Sequence, residues 1–352
     1  MVFRHEQSSL STEGSFLEGT AAPPTSRRRE SSERNALVSQ AAKEAARLDL
    51  LDCGIVDTNE TAVDGPSSSR SCDLIDARWG TPTILISLGR SGSSATWQLM
   101  SGMTGNYTFR ATEDTGSSTE SSVHLFTEVL EPDSDGKCWI QDFLCRHQRD
   151  NRVRAEGGLP TAGLYGFKWK PYASTFGSMK SIEALRWLSR NPHVKVVVNR
   201  RNPLDVIISR YKHRDRRVAA HCAVGDVDCS ELHRNAKPTL STKRGRLVNL
   251  IGDIIEESDN ADRLLDDLRV PHVDVSYERL YLAPDIAVEW RRLFSFLGVG
   301  RSDEGLTSTD LISRMEHQAT SDRSIRGKVR NYEEVEEILR GTEYEKFLSN
   351  GV

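Results

Sequence analysis

The sequence predicts an α/β fold in which a central parallel sheet lies between two layers of helices, a three-layer sandwich. Short apolar runs, which suit strands buried on both faces, alternate with stretches of helical periodicity, and this alternation is typical of parallel sheets. Two of these runs, at 84–88 and 193–198, are each followed by polar residues and then by an amphipathic helix. Because ligands in such folds bind beyond the carboxyl ends of the strands, the residues after each run are the first candidates for a site.

The 352 residues allow one sizeable domain and additional segments. Residues 1–78 are rich in Ser, Thr, Gly and Glu and poor in aromatic residues, so we expect them to be largely disordered. Within them, 35–51 has apolar residues at helical spacing and predicts a marginal, solvated helix; the alternative is a helix that docks on the domain or on a partner. The folded domain is expected over 79–348.

Charge and hydropathy narrow the class of protein. A formal net charge of −4 disfavours a general nucleic-acid binder, which is usually basic. No apolar run is long enough to cross a membrane, and the first residues lack the apolar core of a signal peptide. We therefore expect a cytoplasmic protein without a membrane span.

The six cysteines form no Cys-x2-Cys pair. Cys222 and Cys229 lie near His221 and His233, but the spacing matches no usual zinc pattern, so we expect no metal. Free thiols or a loop disulfide between Cys222 and Cys229 remain open, and reduced thiols are the default in the cytosol.

The remaining elements follow from periodicity along the chain. Polar, irregular structure is expected over 132–160, and a charged excursion of the kind that forms lids or substrate loops over 214–238. The other predicted strands are 107–112, 164–170 and the end of a strand at 273–276, and the predicted helices are 117–130, 181–188, 242–268, 286–297 and 333–340.

A Gly- and Ser-rich turn joins the first predicted strand to the next helix. Gly89 and Gly92 allow a sharp turn and a close approach to a ligand. The helix start carries free N–H groups and a partial positive charge, and Arg90 adds a cation. The turn therefore predicts a phosphate or sulfate site, although many such turns bind nothing. It is not a Walker A loop, because no Lys follows Gly92, and this disfavours a nucleotide triphosphatase.

A second anion site is predicted after the run at 193–198. Asn202 suits a helix N-cap and Pro203 the first helical position. Arg201, at the strand end, and Ser209, two turns along the helix, could both reach one anion. The alternative is that Arg201 forms a surface ion pair with Asp205.

In this order, these stretches resemble the nucleotide-dependent sulfotransferase family, whose fold is P-loop-like and whose donor is 3′-phosphoadenosine 5′-phosphosulfate (PAPS). A Lys/Arg-Ser/Thr-Gly-Ser/Thr-Ser/Thr loop binds the 5′-phosphosulfate in that family, and 90–94 matches it. An Arg-Asn-Pro-x-Asp motif with a Ser eight residues past the Arg binds the 3′-phosphate, and 201–209 matches it. The turn at 277–280 and the helix end at 296–298 are also similar, so the resemblance spans roughly 80–348.

The resemblance implies a set of residues that bind PAPS. The match is looser in three places. The loop begins with Arg, as in carbohydrate-type and bacterial relatives; 164–170 lacks a Lys-Thr-His; and the C-terminal Arg-Lys-Gly cradle is only approximated at 326–328. The subfamily and the acceptor therefore stay open. The implied PAPS-binding residues are Arg90, Ser91, Gly92, Ser93, Ser94, Ala95, Thr96, Arg201, Ser209, Tyr277, Arg326, Gly327 and Lys328.

By analogy with phosphoryl transfer, sulfuryl transfer depends on in-line positioning and charge stabilisation. Arg90, Lys168 and Lys170 are the expected catalytic cations, and no divalent metal is needed. Glu113 is the expected general base, because relatives carry a Glu just after the second strand and use it so in some cases. Asp114 and His124 are the alternative bases.

The expected acceptor is a hydroxyl or an amine of a carbohydrate or small metabolite. A P-loop kinase-like enzyme is the alternative enzyme class, but its Walker Lys and magnesium-binding carboxylate are not placed. A catalytically inactive module that binds nucleotide or sulfate is the non-enzyme alternative. The oligomeric state is not indicated.

Overall fold

The computed structural model describes residues 77–87, 90–104, 136–159, 161–169, 179–214, 227–298, 307–313 and 324–349. The predicted strand at 107–112 and the predicted helix at 117–130 lie outside the described residues. So do residues 1–76 of the N-terminal segment, including the predicted helix at 35–51.

The described strands form one parallel sheet. They are β1 (Thr81–Ser87), β2 (Leu164–Trp169), β3 (Lys195–Arg200) and β4 (His272–Ser276), in the order β2-β1-β3-β4. Every residue of β1 is buried, as its nearly continuous apolar run predicts. The register pairs Ser87 with Asn199 and Arg200 with Ser276, so the carboxyl ends of the strands meet at one edge.

Helices cover both faces of the sheet, which confirms the predicted three-layer α/β architecture. None of the described helices combines the length and the apolar character that crossing a bilayer requires. Short 3-10 turns lie at Ala77–Trp79 and Glu345–Leu348. The helices are α1 (Ser93–Thr104), α2 (Gly136–Glu156), α3 (Met179–Arg190), α4 (Pro203–Arg214), α5 (Val227–Asn235), α6 (Arg244–Asp267), α7 (Tyr277–Tyr281), α8 (Ile286–Leu297), α9 (Ser308–Ser313), α10 (Ile325–Lys328) and α11 (Tyr332–Leu339).

Alternation along the strands divides the core between the two faces. Ile86 and Val198 pack with α2, α3 and the end of α6. Leu85 and Val197 point to the other face and pack with α1 and α8. A third cluster joins α4 and α6 to the C-terminal helices α10 and α11. This third cluster fixes the C-terminal segment against the helix that carries the second predicted anion motif.

The expectation of irregular structure over 132–160 is wrong, because this region contains α2, a helix of 21 residues. Its buried stripe runs through Ile140, Leu144, Gln148 and Asn151, and only the first half of this stripe is apolar. The Asn151 amide donates to the backbone oxygens of Trp79 and Ala162, at 2.7 and 2.8 Å. Hydrogen bonds thus replace apolar contacts along the second half of the helix, which hides it from a search for apolar periodicity. The charged excursion at 214–238 likewise contains a helix, α5.

Cys145 and Cys229 are each disulfide-bonded, and no described cysteine is free. The expectation of reduced thiols is therefore wrong for these two residues. The Cys229 sulfur is already in a covalent bond, so it is not available as a metal ligand in this state.

The disulfides predict that Cys145 and Cys229 resist alkylation in the native protein. Iodoacetamide should label neither residue before reduction and both after reduction in denaturant, as read by peptide mass spectrometry. Labelling of either residue in the unreduced, denatured protein would contradict the disulfide at that position.

Gly166 lies in β2 beside β1 with a φ of 143°, and a Cβ there would lie 1.8 Å from the Thr83 carbonyl oxygen. Gly166→Ala must therefore push the two central strands apart, and overpacking of this kind costs about 1–3 kcal/mol or more. We expect urea unfolding to show that loss. Gly245→Ala is the matched control, because a Cβ in α6 at that position meets nothing within 4 Å and should cost nothing. Equal stability of the two variants would contradict the close approach of β1 and β2.

Candidate functional site

The turn between β1 and α1 is held in a tight left-handed shape. Arg90 has a φ of 73° and Gly92 a φ of 85°. A Cβ at Gly92 would lie 2.5 Å from Cδ2 of Tyr277, so only glycine lets the Tyr277 ring pack on the turn. Tyr277, predicted as a cofactor residue, therefore contacts the predicted phosphate loop directly.

A network of hydroxyl and amide groups supports this turn from below. The Thr96 hydroxyl donates to the Gly92 carbonyl oxygen at 3.2 Å and accepts from the Tyr281 hydroxyl at 3.3 Å. Asn199, on β3, donates to the Ser91 carbonyl oxygen at 3.2 Å and to the Thr96 hydroxyl at 3.4 Å. Burial raises the pKa of Tyr281, so this donor keeps its proton. The hydroxyl of Thr96, a predicted ligand-binding residue, makes its contacts within this network and holds the loop; its contact with a ligand stays a prediction.

The start of α1 carries the other predicted loop residues. Ser91, Ser93 and Ser94 are buried, while Ala95 is half-buried. The first N–H groups of a helix have no partner within the helix, so this end of α1 offers donors to an anion.

The two predicted anion motifs meet in space. Arg90 donates from Nε to the Ser209 hydroxyl at 3.4 Å, and Arg201 donates from Nη1 to the Arg90 carbonyl oxygen at 3.0 Å. The Arg201 guanidinium also lies over the Tyr277 ring, 4.3 Å from its centroid. Burial and then the charge of Arg201 lower the pKa of Arg90. Two guanidinium groups thus lie close together at the edge of the sheet, an arrangement that favours a bound anion.

Lys168 brings a third cation to the start of α1. Its ammonium donates to the Ser94 hydroxyl at 3.1 Å, and the residue is 1 % exposed. Glu113 and Lys170, with the alternative bases Asp114 and His124, lie outside the described residues.

Asp205 joins the second motif to the C-terminal segment. Both of its carboxylate oxygens accept from the Lys328 ammonium at 2.8 Å, and the Arg201 guanidinium lies 3.9 Å away. The alternative prediction of an ion pair between Arg201 and Asp205 is therefore correct for the contact. It is wrong for the location, because Asp205 is buried and not at the surface. The ammonium of Lys328, a predicted cofactor-binding residue, binds Asp205, and its contact with the cofactor stays a prediction. Arg326 is exposed, and its guanidinium lies 4.8 Å from the Tyr332 ring centroid. Gly327, the residue between Arg326 and Lys328 in the sequence, lies within α10.

A pocket of about 210 Å³ opens beside this site, between the carboxyl ends of β1 and β3 and the helix α6. Ile86, Val198 and Ile254 form part of its apolar wall. Three of its lining residues carry buried polar atoms that have no hydrogen-bond partner among the described residues. These atoms are Ser87 Oγ, Asn199 Oδ1 and Arg201 Nε.

The supporting roles of Asn199, Tyr281 and Lys328 are not predicted from the sequence. Asn199 interrupts the end of an apolar strand, a signal that was visible but not interpreted. Tyr281 and the partner role of Lys328 left no local signal, because each acts on residues far away in the chain.

The Lys328–Asp205 pair predicts a strong coupling in stability. Lys328→Met should destabilise the protein by about 3–5 kcal/mol, because it leaves a buried carboxylate without its main partner. The double variant Asp205→Leu with Lys328→Met should lose less than the sum of the losses of the two single variants, since either single variant already breaks the pair. Urea unfolding of Lys328→Met, Asp205→Leu and the double variant measures this, and additive losses would show that the pair is not coupled.

Comparison with known proteins agrees with this geometry. No curated protein and no solved structure gives a significant match to the chain. The family model of the sulfotransferase domain, however, matches residues 81–352, well over half of the chain. That range contains all four strands, both anion motifs and the C-terminal helices. The chain therefore belongs to the sulfotransferase domain family and is a sulfotransferase.

Proposed function

We propose that this sulfotransferase uses PAPS as its donor and transfers the sulfuryl group, without a metal, to a hydroxyl or an amine of an acceptor. The observation that carries the proposal is the meeting of two anion motifs, in which Arg90 contacts Ser209 and Arg201 contacts the Arg90 carbonyl oxygen. One nucleotide with phosphate groups at both its 3′ and 5′ positions can bridge such a pair of motifs.

The residues present fit this donor. The start of α1 offers N–H donors to the 5′-phosphosulfate, and Arg90 offers a cation. Arg201 offers a guanidinium to the 3′-phosphate, and Ser209 offers a hydroxyl. The buried Arg201 Nε, which has no partner among the described residues, is a donor that such an anion would satisfy. Tyr277 fixes the distance between the two motifs, because its ring packs on both Gly92 and Arg201.

PAPS, when bound, supplies an activated sulfuryl group on a phosphate leaving group. In the transfer, the bond between sulfur and the phosphate oxygen breaks as a bond to the acceptor oxygen or nitrogen forms. Lys168 and Arg90 lie at the start of α1, where they stabilise the negative charge that collects on the leaving phosphate. The acceptor gives its proton to a general base, and Glu113 is the proposed one.

The acceptor is a carbohydrate or a small metabolite, and residues other than those of the two donor-binding motifs decide between these classes. The pocket beside Ser91 and Arg201 is a candidate for part of the acceptor site, because its unpartnered polar atoms and apolar walls suit a molecule with both polar and apolar groups.

The cytoplasmic location expected from the sequence stays a prediction, and the disulfides at Cys145 and Cys229 weigh against it.

The first test is calorimetric titration of 3′,5′-adenosine bisphosphate, the desulfonated donor, without magnesium. The wild type should bind it, and Arg201→Ala should bind it more weakly by about 1.5–3 kcal/mol, because a charge-assisted phosphate contact is lost. Arg263→Ala, which removes an exposed arginine from α6, is the control for loss of charge and should bind as the wild type does.

Radiolabelled PAPS then separates an enzyme from an inactive binding module. Label should move to a hydroxyl or amine acceptor with the wild type and fall sharply with Lys168→Met. A folded wild type that does not bind the bisphosphate would overturn the proposed donor. Binding without transfer to any acceptor class would favour the inactive module.

A further inference from the structure

The second anion motif carries more positive charge than its own carboxylates offset. Asp205, which is fully buried, contacts both Lys328 and Arg201. Within the described part of the chain, Glu278 is the other carboxylate at this motif, and it accepts from the Asn202 backbone N–H at 2.9 Å. Arg90 adds a further cation through Ser209. Because buried charges are normally paired, this excess of positive charge favours a ligand that supplies an anion.

The helix α4 extends this motif by one more residue. Asp205, Ser209 and Lys212 are spaced four and three residues apart, so they lie along one face of α4. Asp205 and Ser209 on that face already contact the cations Lys328, Arg201 and Arg90. Lys212, half-buried one turn beyond Ser209, therefore continues the face that the 3′-phosphate motif uses.

The electrostatic surroundings of Lys212 support this placement. Burial lowers the pKa of Lys212, and the charges of Lys328 and Arg201 lower it further. The charge of Asp205 raises this pKa, and the charge of Lys237 lowers it. A lysine held in this way among other cations gains from a dianion that binds between them.

We propose that Lys212 is a second cation for the 3′-phosphate of the donor nucleotide and that it gives the enzyme its preference for a nucleotide with that group. The inference rests on the proposed function, because it assumes that the nucleotide lies between Arg90 and Arg201. No part of the Arg-Asn-Pro-x-Asp and Ser motif includes this position. Lys212 would thus be a specificity determinant outside that motif.

The test compares two nucleotides that differ only in the 3′-phosphate, 3′,5′-adenosine bisphosphate and adenosine 5′-phosphate. Lys212→Met keeps most of the aliphatic stem and removes the charge. It should weaken binding of the bisphosphate by about ten- to a hundredfold and leave binding of the monophosphate unchanged. Lys212→Arg keeps the charge and should retain most of the affinity for the bisphosphate.

Lys195→Met is the matched control, because Lys195 lies at the amino end of β3, the opposite edge of the sheet. It removes the same charge and should change neither affinity. If the wild type prefers the bisphosphate and Lys212→Met keeps that preference, Lys212 does not contact the 3′-phosphate, whatever it does for the acceptor. If the wild type binds both nucleotides equally, the proposed donor site is wrong and the role of Lys212 is wrong with it. Thermal unfolding of Lys212→Met and Lys212→Arg verifies that both remain folded.

Discussion

The carboxylate of Asp205 is the contact on which the arrangement of the site depends. It lies between Arg201, at the end of β3, and Lys328, near the end of the chain. Without a buried negative charge, the cations of the second motif would repel one another and the helix α4 would lose its tie to the C-terminal segment. A single side chain therefore keeps positive charge concentrated at the sheet edge and links distant parts of the chain.

The predicted phosphate loop is held in one shape by contacts within the protein. Asn199 and Tyr281 fix Thr96, Thr96 fixes Gly92, and the Tyr277 ring closes over Gly92. A preorganised loop spends little of the binding energy on its own ordering, so more of the interaction with an anion remains as affinity. The left-handed conformation of Arg90, a non-glycine residue, is a strain that this surrounding network sustains.

The disulfides at Cys145 and Cys229 are a feature that the sequence alone did not predict. Cys145 is buried in the core beneath the sheet, on a helix whose polar half left no periodic signal. A cross-link from this position stabilises the fold mainly by restricting the unfolded chain.

The sequence by itself determined the class of fold, the positions of β1, β3 and most of the described helices, and the two anion motifs. These features are local, since periodicity, glycines, and Asn-Pro at a helix start act over a few residues. Only the tertiary structure decided that Thr96 supports the loop, that Lys168 reaches Ser94, and that Lys328 binds Asp205. The last pair is separated by 123 residues. Such partners are chosen by strand register and helix packing, which no short stretch of sequence specifies.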